Sequence, residues 1–392
     1  MKIPIAKPFF DACEEELLLE TLRSGWVVQG RRVAGFEELF SRTTGARYAV
    51  AVSNCTTALH LCLAALGIGP GDEVIVPSFT YVATANAVEH TGARAVFCDI
   101  DPATFNMDVA SLRRRITGRT RAVIPVHLFG LAADMDAIVP LCRERGLRIV
   151  EDAACGLGAT YHGRHVGTFG DAGCFSFHPR KIVTTGEGGM ITLEDADLDA
   201  LLRSMRDHGA SASDFLRHTG SKSALLPEFN VLGYNYRLTD LQAAIGLAQM
   251  AKLDSILALR RARAERYRRA LQGLPGIRLP AVPDGLTHSY QSFVITCTWG
   301  FEGFPDGVSW QELKAKRDRV IEELEESGVS TRQGTHAVHA LGYYRKKVAL
   351  PDESLPNSRL CESATIALPL YPQMSDEEQD QVVDSLLRVL GR

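Results

Sequence analysis

Between residues 48 and 151 the chain alternates short apolar segments with amphipathic ones, and few architectures accept that rhythm. Strands are expected over 48–52, 73–76, 95–99, 122–126 and 148–151, and helices over 56–66, 81–90, 108–116 and 134–145. Apolar strands separated by amphipathic helices predict an α/β fold with a mainly parallel sheet covered on both faces. Ligands of such sheets bind at the carboxyl ends of the strands, where Ser53, Ser78 and Asp152 fall.

The flanking sequence is less regular. An acidic first turn followed by Leu17, Leu18 and Leu22 predicts a helix over 11–24. A glycine-bounded loop with Trp26 follows, and helical spacing returns over 33–43. Two further helices are expected over 238–254 and 257–274; the second is arginine-rich, and the interleaved Glu265 and alanines mark a solvated or subunit-facing helix. Beyond Pro275 the pattern gives a strand over 290–298, a charged helix over 309–327, an extended piece over 365–368 and a closing helix over 375–390. Single cores rarely grow past about 250–300 residues, so the 392 residues divide into an N-terminal helix and substrate loop (1–30), a large domain (31–254) and a smaller C-terminal α+β domain (255–392).

A net charge of −4 gives no basic surface for nucleic acid. The longest apolar runs, such as 58–66, are too short to span a bilayer, and no secretory signal pattern follows Met1. Nine cysteines without CxxC pairs suit free thiols in a reducing compartment. A soluble cytoplasmic protein is expected.

Two residues focus the chemistry. Asp152 ends an apolar strand, and Lys181 follows in a run that leads to the turn Gly186-Glu187-Gly188-Gly189. Either residue alone reads as a surface charge or a cap. Together they supply what a pyridoxal phosphate enzyme requires: an amine to hold the aldehyde as a Schiff base, and an acid to keep the pyridine nitrogen protonated. Ser53-Asn54-Cys55-Thr56-Thr57 follows a strand and opens a helix, which makes either an ordinary N-cap or a phosphate site.

The stretches 53–59, 77–84, 151–159, 170–189 and 233–240 together resemble the DegT/DnrJ/EryC1/StrS family of sugar aminotransferases, vitamin B6 enzymes of fold type I. The likeness runs from about Trp26 to the C-terminus. It implies a fold type I transferase with a seven-stranded-type sheet, and pyridoxal 5′-phosphate as cofactor. It places the cofactor phosphate at Cys55, Thr56, Thr57 and Ser176, although Cys55 stands where the family usually has glycine. Tyr81 is implied to stack on the pyridine ring, Asp152 to pair with its nitrogen and Lys181 to carry the aldehyde. Cys155 replaces the family's usual Gln or His near the phenolic oxygen, so it either contacts the cofactor weakly or simply packs. His178 belongs to the motif without an assigned contact.

Gly233-Tyr234-Asn235-Tyr236-Arg237 matches the family's Gly-x-Asn-x-Arg pattern. There the Asn reaches the phosphate of the neighbouring subunit, which implies a homodimer with shared active sites; read by itself, Asn235 is a turn residue. Trp26, Arg332, His336 and His339 occupy the places of substrate contacts, and His336 reads equally as part of a solvated loop. The implied reaction moves an amino group from an amino acid, L-glutamate in the family, to a ketosugar carried on a nucleotide. Some relatives replace the lysine with His and dehydrate instead; the other rival is a regulatory cofactor-binding protein. No dinucleotide fingerprint, phosphate-binding GxxxxGK loop or metal-spaced His/Cys set is found.

Overall fold

The computed structural model describes residues 2–211, 227–299 and 309–391. Ten strands precede residue 200: β1 (Tyr48–Val52), β2 (Glu73–Pro77), β3 (Phe79–Thr80), β4 (Arg94–Cys98), β5 (Thr120–Val123), β6 (Arg148–Asp152), β7 (Thr160–Tyr161), β8 (Arg164–His165), β9 (Ala172–Ser176) and β10 (Gly189–Leu193). Seven of them form one sheet in the order β1-β10-β9-β6-β5-β2-β4. Only β10 runs against the rest, pairing antiparallel with β1 and β9. The other pairs are parallel, and helices α1 (Ala12–Ser24), α2 (Arg31–Thr44), α3 (Cys55–Ala65), α4 (Ala83–His90), α5 (Val109–Arg115), α6 (Met135–Glu144) and α7 (Ala196–Met205) accompany the sheet. The mainly parallel α/β fold expected from the alternation is the fold observed.

The sheet is covered because its strands are apolar on both sides. Val50, Val52, Val74, Val76 and Val150 belong to one buried cluster, while Ala49, Ala51, Ile75, Val123 and Ile149 belong to another. Helix α2 shows how the sequence selects its partner. Val33, Phe36 and Phe40 fall on one stripe and are essentially inaccessible. The Phe36 and Phe40 rings meet Phe177 at 5.0 and 5.7 Å, and Phe40 meets Phe175 at 4.9 Å. Phe36 also lies on the helix Asp240–Ala251 at Gly246, where an added Cβ would sit 2.7 Å from the ring. Burying a side chain of this size contributes about 1.5–3 kcal/mol, so the aromatic seam outweighs any single exposed ion pair of the surface.

Two buried carboxylates complete the fit of α2. Its first turn has no side-chain cap of its own; Asp240 accepts from Gly30 N (2.8 Å), Val33 N (2.9 Å) and Arg32 N (3.2 Å) instead. Glu37 accepts from Arg203 and Arg206 of the α7 end and from Ala51 N (2.9 Å). Burial alone would raise the Glu37 pKa, but the two guanidinium groups outweigh it and hold it below the ordinary value.

The later strands are β11 (Ile277–Arg278), β12 (Leu286–Thr287), β13 (Phe293–Cys297), β14 (Arg332–Gln333), β15 (His336–Ala337) and β16 (Thr365–Leu368). A second, antiparallel sheet has the order β11-β13-β16-β14. It packs with the helices Leu253–Leu271 and Asp376–Val389, and Ile3 from the start of the chain joins the same core. The arginine-rich helix Leu253–Leu271, expected to be solvated or subunit-facing, also turns one arginine inward. Arg260 is buried and donates to the carbonyls of Tyr290 (2.9 Å) and Gln291 (2.6 Å), because that loop turns its acceptors inward. The two sheets are also laced together: β15 pairs with β3, with His336 opposite Thr80. Among the described residues no helix is long and apolar enough to cross a membrane.

Candidate active site

Asp152 is the last residue of β6, and β9 lies beside it in parallel register, with Asp152 opposite Cys174. The chain leaves β9 at Ser176 and returns in β10 at Gly189, so the loop carrying Lys181 projects from the strand ends next to Asp152. Internal bonds fix that loop. Lys181 N donates to His178 O (2.8 Å), while Thr184 Oγ1 and Thr185 N both donate to Phe177 O (2.8 and 3.0 Å). Gly189 allows the loop to close beneath α3, since a Cβ there would lie 2.5 Å from the carbonyl carbon of Asn54. The expected glycine-rich turn is therefore the mouth of a strand pair.

These strand ends open on a cavity of about 710 Å³. Of the residues singled out in the sequence, its walls include Cys55, Thr56, Thr57, Tyr81, Asp152, Cys155, Ser176, Lys181 and Arg332. Asn54 caps α3 through its side chain, accepting from Thr57 N at 2.9 Å, and Thr57 Oγ1 returns a bond to Asn54 O at 2.7 Å. The Thr57 hydroxyl hydrogen is thus committed to the cap. The N–H groups of Cys55 and Thr56 find no acceptor among the described residues. A helix N-terminus with such amides favours an anion.

Lys181 Nζ lies 3.2 Å from Cys155 Sγ. Burial pulls the Lys181 pKa down, but the hydrogen bond and charge of the neighbouring Cys155 sulfur, together with the Asp152 carboxylate, hold it above the ordinary value. Burial pushes the Cys55 thiol far up, so it stays neutral. Asp152 is itself buried, with Oδ2 accepting from Thr84 Oγ1 (2.7 Å) and Oδ1 from Ala154 N (3.1 Å). Behind it, Glu151 accepts from His127 Nε2 (2.8 Å) and from the amides of Gly167, Phe169 and Gly170. That cluster, with the His127 and Glu151 side chains fully buried, fixes the end of β6. Tyr81 is 64% exposed at the rim, with its ring available to a flat ligand.

Four sequence candidates are not on this wall. Trp26 folds back on its own loop, with Nε1 donating to Gln29 O (3.2 Å). His336 meets Gln333 Nε2 through Nδ1 (2.8 Å). His339 is buried, with Nδ1 2.6 Å from Ser78 Oγ, because the segment after β15 packs into the large sheet. Asn235 is exposed and lies where the chain bridges Asp207, beyond the cavity. Trp26, His336 and His339 thus lie outside the cavity of their own chain.

Conversely, the cavity recruits residues that sequence reading passed over. Thr84 touches Asp152, Gln333 lies beside Arg332, and Ile5 and Ala6 arrive from the chain start. His60 and Tyr236 close one side, with Nδ1 3.1 Å from the hydroxyl. Thr84 left no distinctive signal, because its partner Asp152 lies 68 residues away in sequence.

The DegT/DnrJ/EryC1/StrS aminotransferase family model matches residues 9–387. The chain belongs to this family. Membership makes it a pyridoxal-phosphate-dependent aminotransferase of the DegT/DnrJ/EryC1/StrS type. It is 40% identical to GDP-perosamine synthase of Caulobacter vibrioides over 390 residues, covering 99% of this chain and 98% of that protein. It is 39% identical to the spore coat polysaccharide biosynthesis protein SpsC of Bacillus subtilis over 385 residues, covering 98% and 96%. Among solved structures it is similar to the aminotransferase TlmJ of Streptoalloteichus hindustanus, with a TM-score of 0.88, 33% identity and 99% of both chains covered. The sugar aminotransferase Spr1654 of Streptococcus pneumoniae, in its PMP form, gives a TM-score of 0.90 at 29% identity, also with 99% of both chains covered.

Proposed function

We propose that this DegT/DnrJ/EryC1/StrS aminotransferase moves an amino group from an amino acid, L-glutamate by family expectation, to the keto group of a nucleotide-linked sugar. The observation that carries the reading is the placement of the Lys181 amine and the buried Asp152 carboxylate on one cavity whose floor is a helix N-terminus. The residues present fit pyridoxal 5′-phosphate. The α3 amides and the hydroxyls of Thr56 and Ser176 suit its phosphate, Asp152 its ring nitrogen and Tyr81 its ring face. When bound, that cofactor supplies the aldehyde that exchanges the amino group and the ring that withdraws electrons.

With the cofactor bound, Lys181 would hold its aldehyde, and the free amine would take the proton from the donor α-carbon and later deliver one to the sugar carbon. Asp152 would keep the proton on the ring nitrogen. Arg332, exposed at the mouth beside Gln333, suits a diphosphate. The sugar assignment follows from the relatives named above.

The reading also includes a homodimer. Asn235 is exposed next to Val231 and Leu232, which are 39% and 83% exposed. An apolar strip ending in a polar side chain suits a second copy, into whose cavity Asn235 would reach. Reconstituting the purified chain with pyridoxal 5′-phosphate should give visible absorbance that L-glutamate bleaches and a nucleotide ketosugar restores. A cofactor spectrum unmoved by any amino acid would favour the regulatory binding protein instead.

A further inference from the structure

The buried threonines behind Asp152 form a chain with a definite direction. Thr84 Oγ1 donates to Asp152 Oδ2 at 2.7 Å, and the Thr80 and Thr84 hydroxyls lie 3.1 Å apart. A hydroxyl has one hydrogen. Thr84 commits its hydrogen to the carboxylate, so Thr80 must donate to Thr84. Both threonines are 1% exposed, so water does not replace either bond. Donors aligned in one sense polarise one another inside a protein.

Thr80 is in turn held by the separate two-stranded ladder of β3 and β15. Its backbone pairs with His336 in the β3–β15 ladder, and Val338 N donates to Ser78 O at 2.8 Å. The same short segment, Arg332 to Val338, contributes Arg332, Gln333, Gly334 and Thr335 to the cavity wall. The carboxylate and the opposite wall of the cavity are therefore joined through two side chains and one strand ladder.

We infer that Thr84 is a positioning residue for Asp152 and that Thr80 acts through it, so that the aim of the carboxylate is set from the β15 side of the cavity. The inference rests on the cofactor reading above, with Asp152 facing the ring nitrogen. It adds a role for two residues that touch neither cofactor nor substrate through this bond. Without Thr84 the carboxylate keeps one bond, from Ala154 N to Oδ1, and can turn about its Cβ–Cγ axis.

The test is a double-mutant cycle read out as the dissociation constant of pyridoxal 5′-phosphate, with the circular dichroism of the bound cofactor as a second readout. Thr84→Val, close to isosteric, removes the donor and should weaken cofactor binding by about 10-fold, the consequence of one lost bond to a charged group. Its cofactor dichroism should fall as well, and Thr84→Ser should restore both to within about 2-fold. Thr80→Val should weaken binding by about 2–5-fold in the wild-type background and have no further effect when Thr84 is already Val.

Additive effects of the two substitutions, or a Thr84→Val protein with wild-type affinity and dichroism, would overturn the inference. So would a Thr84→Val protein that loses thermal stability but keeps its cofactor properties. If Thr84→Val does not fold, Thr80→Val and Thr84→Ser decide alone: wild-type affinity in Thr80→Val contradicts the chain, and a 2–5-fold loss with normal Thr84→Ser supports it. Failure of the wild-type chain to bind the cofactor would instead refute the proposed function.

Discussion

The two walls of the cavity are built differently. The wall carrying Asp152, Lys181 and the α3 N-terminus comes from adjacent elements around one sheet, and its carboxylate is buried and bonded. The facing wall draws Arg332 and Gln333 from the short edge strand β14 of the second sheet, Gly334 and Thr335 from the loop after it, and Ile5 and Ala6 from the chain start. Strand ends held by neighbours on both sides fix an atom closely, which a cofactor shared by many reactions demands. Loops on a scaffold can change without disturbing it, and substrate choice belongs there. If the comparison is right, substitutions on the first wall should cost rate, and those on the second should cost mainly affinity.

The largest effect is expected at Lys181. Lys181→Ala should lower turnover by at least about 10³-fold, as loss of the proton carrier and anchor implies, while circular dichroism reports an intact fold. Near-normal transamination by this variant would end the assignment.

Next comes the prop beneath the first wall. Arg206 is bonded to buried Glu37, and its carbonyl receives Tyr236 N at 2.9 Å. Arg206→Ala leaves part of a buried ion cluster unpaired and should cost about 3–5 kcal/mol in chemical unfolding. Because the folded Glu37 pKa lies below its unfolded value, the stabilisation is present above about pH 4.3 and declines as pH falls below it. An unfolding free energy that gains nothing between acid and neutral pH from Glu37, judged against Glu37→Gln, contradicts this.

Asp152→Asn keeps the shape and removes the charge, and kcat should fall by about 10²–10³-fold. A change of only a few-fold would leave Asp152 a structural residue. Asn235→Ala should weaken the enzyme by about 10-fold if the side chain serves a second copy. Mixed with Lys181→Ala chains under proven subunit exchange, it should regain activity, because one hybrid site carries neither change. Complete exchange with no recovery removes the shared-site model. The smallest effect is expected at His336, which is turned to Gln333: His336→Ala should alter KM by no more than about 3-fold and kcat less.

The sequence revealed elements whose side chains face one way or are wholly apolar. The strand expected over 48–52 is β1, and the piece over 365–368 is β16. Strands β9 and β10 were not read as strands, because Ala172-Gly173-Cys174-Phe175-Ser176 and the glycine opening β10 look like loop composition. Their strand character comes from burial between β6 and β1, which no local pattern encodes. The helix expected over 81–90 begins at Ala83, since Tyr81 and Val82 form the turn at its start. Asp152 and Lys181 were legible because their chemistry is rare in that order. Thr84 was not: a threonine inside a helix has no distinctive neighbours in sequence, and its bond to Asp152 spans 68 residues. The partner of His339 was equally hidden: its Nδ1 meets Ser78 Oγ across 261 residues of sequence.

The central claim is that Lys181 is the amine that receives the cofactor. Reducing the pyridoxal-phosphate-loaded protein with borohydride, then digesting it and sequencing the peptides by mass spectrometry, tests it directly. The account predicts a phosphopyridoxyl group on Lys181 and on no other lysine. The group on a different lysine, or on none, would contradict it.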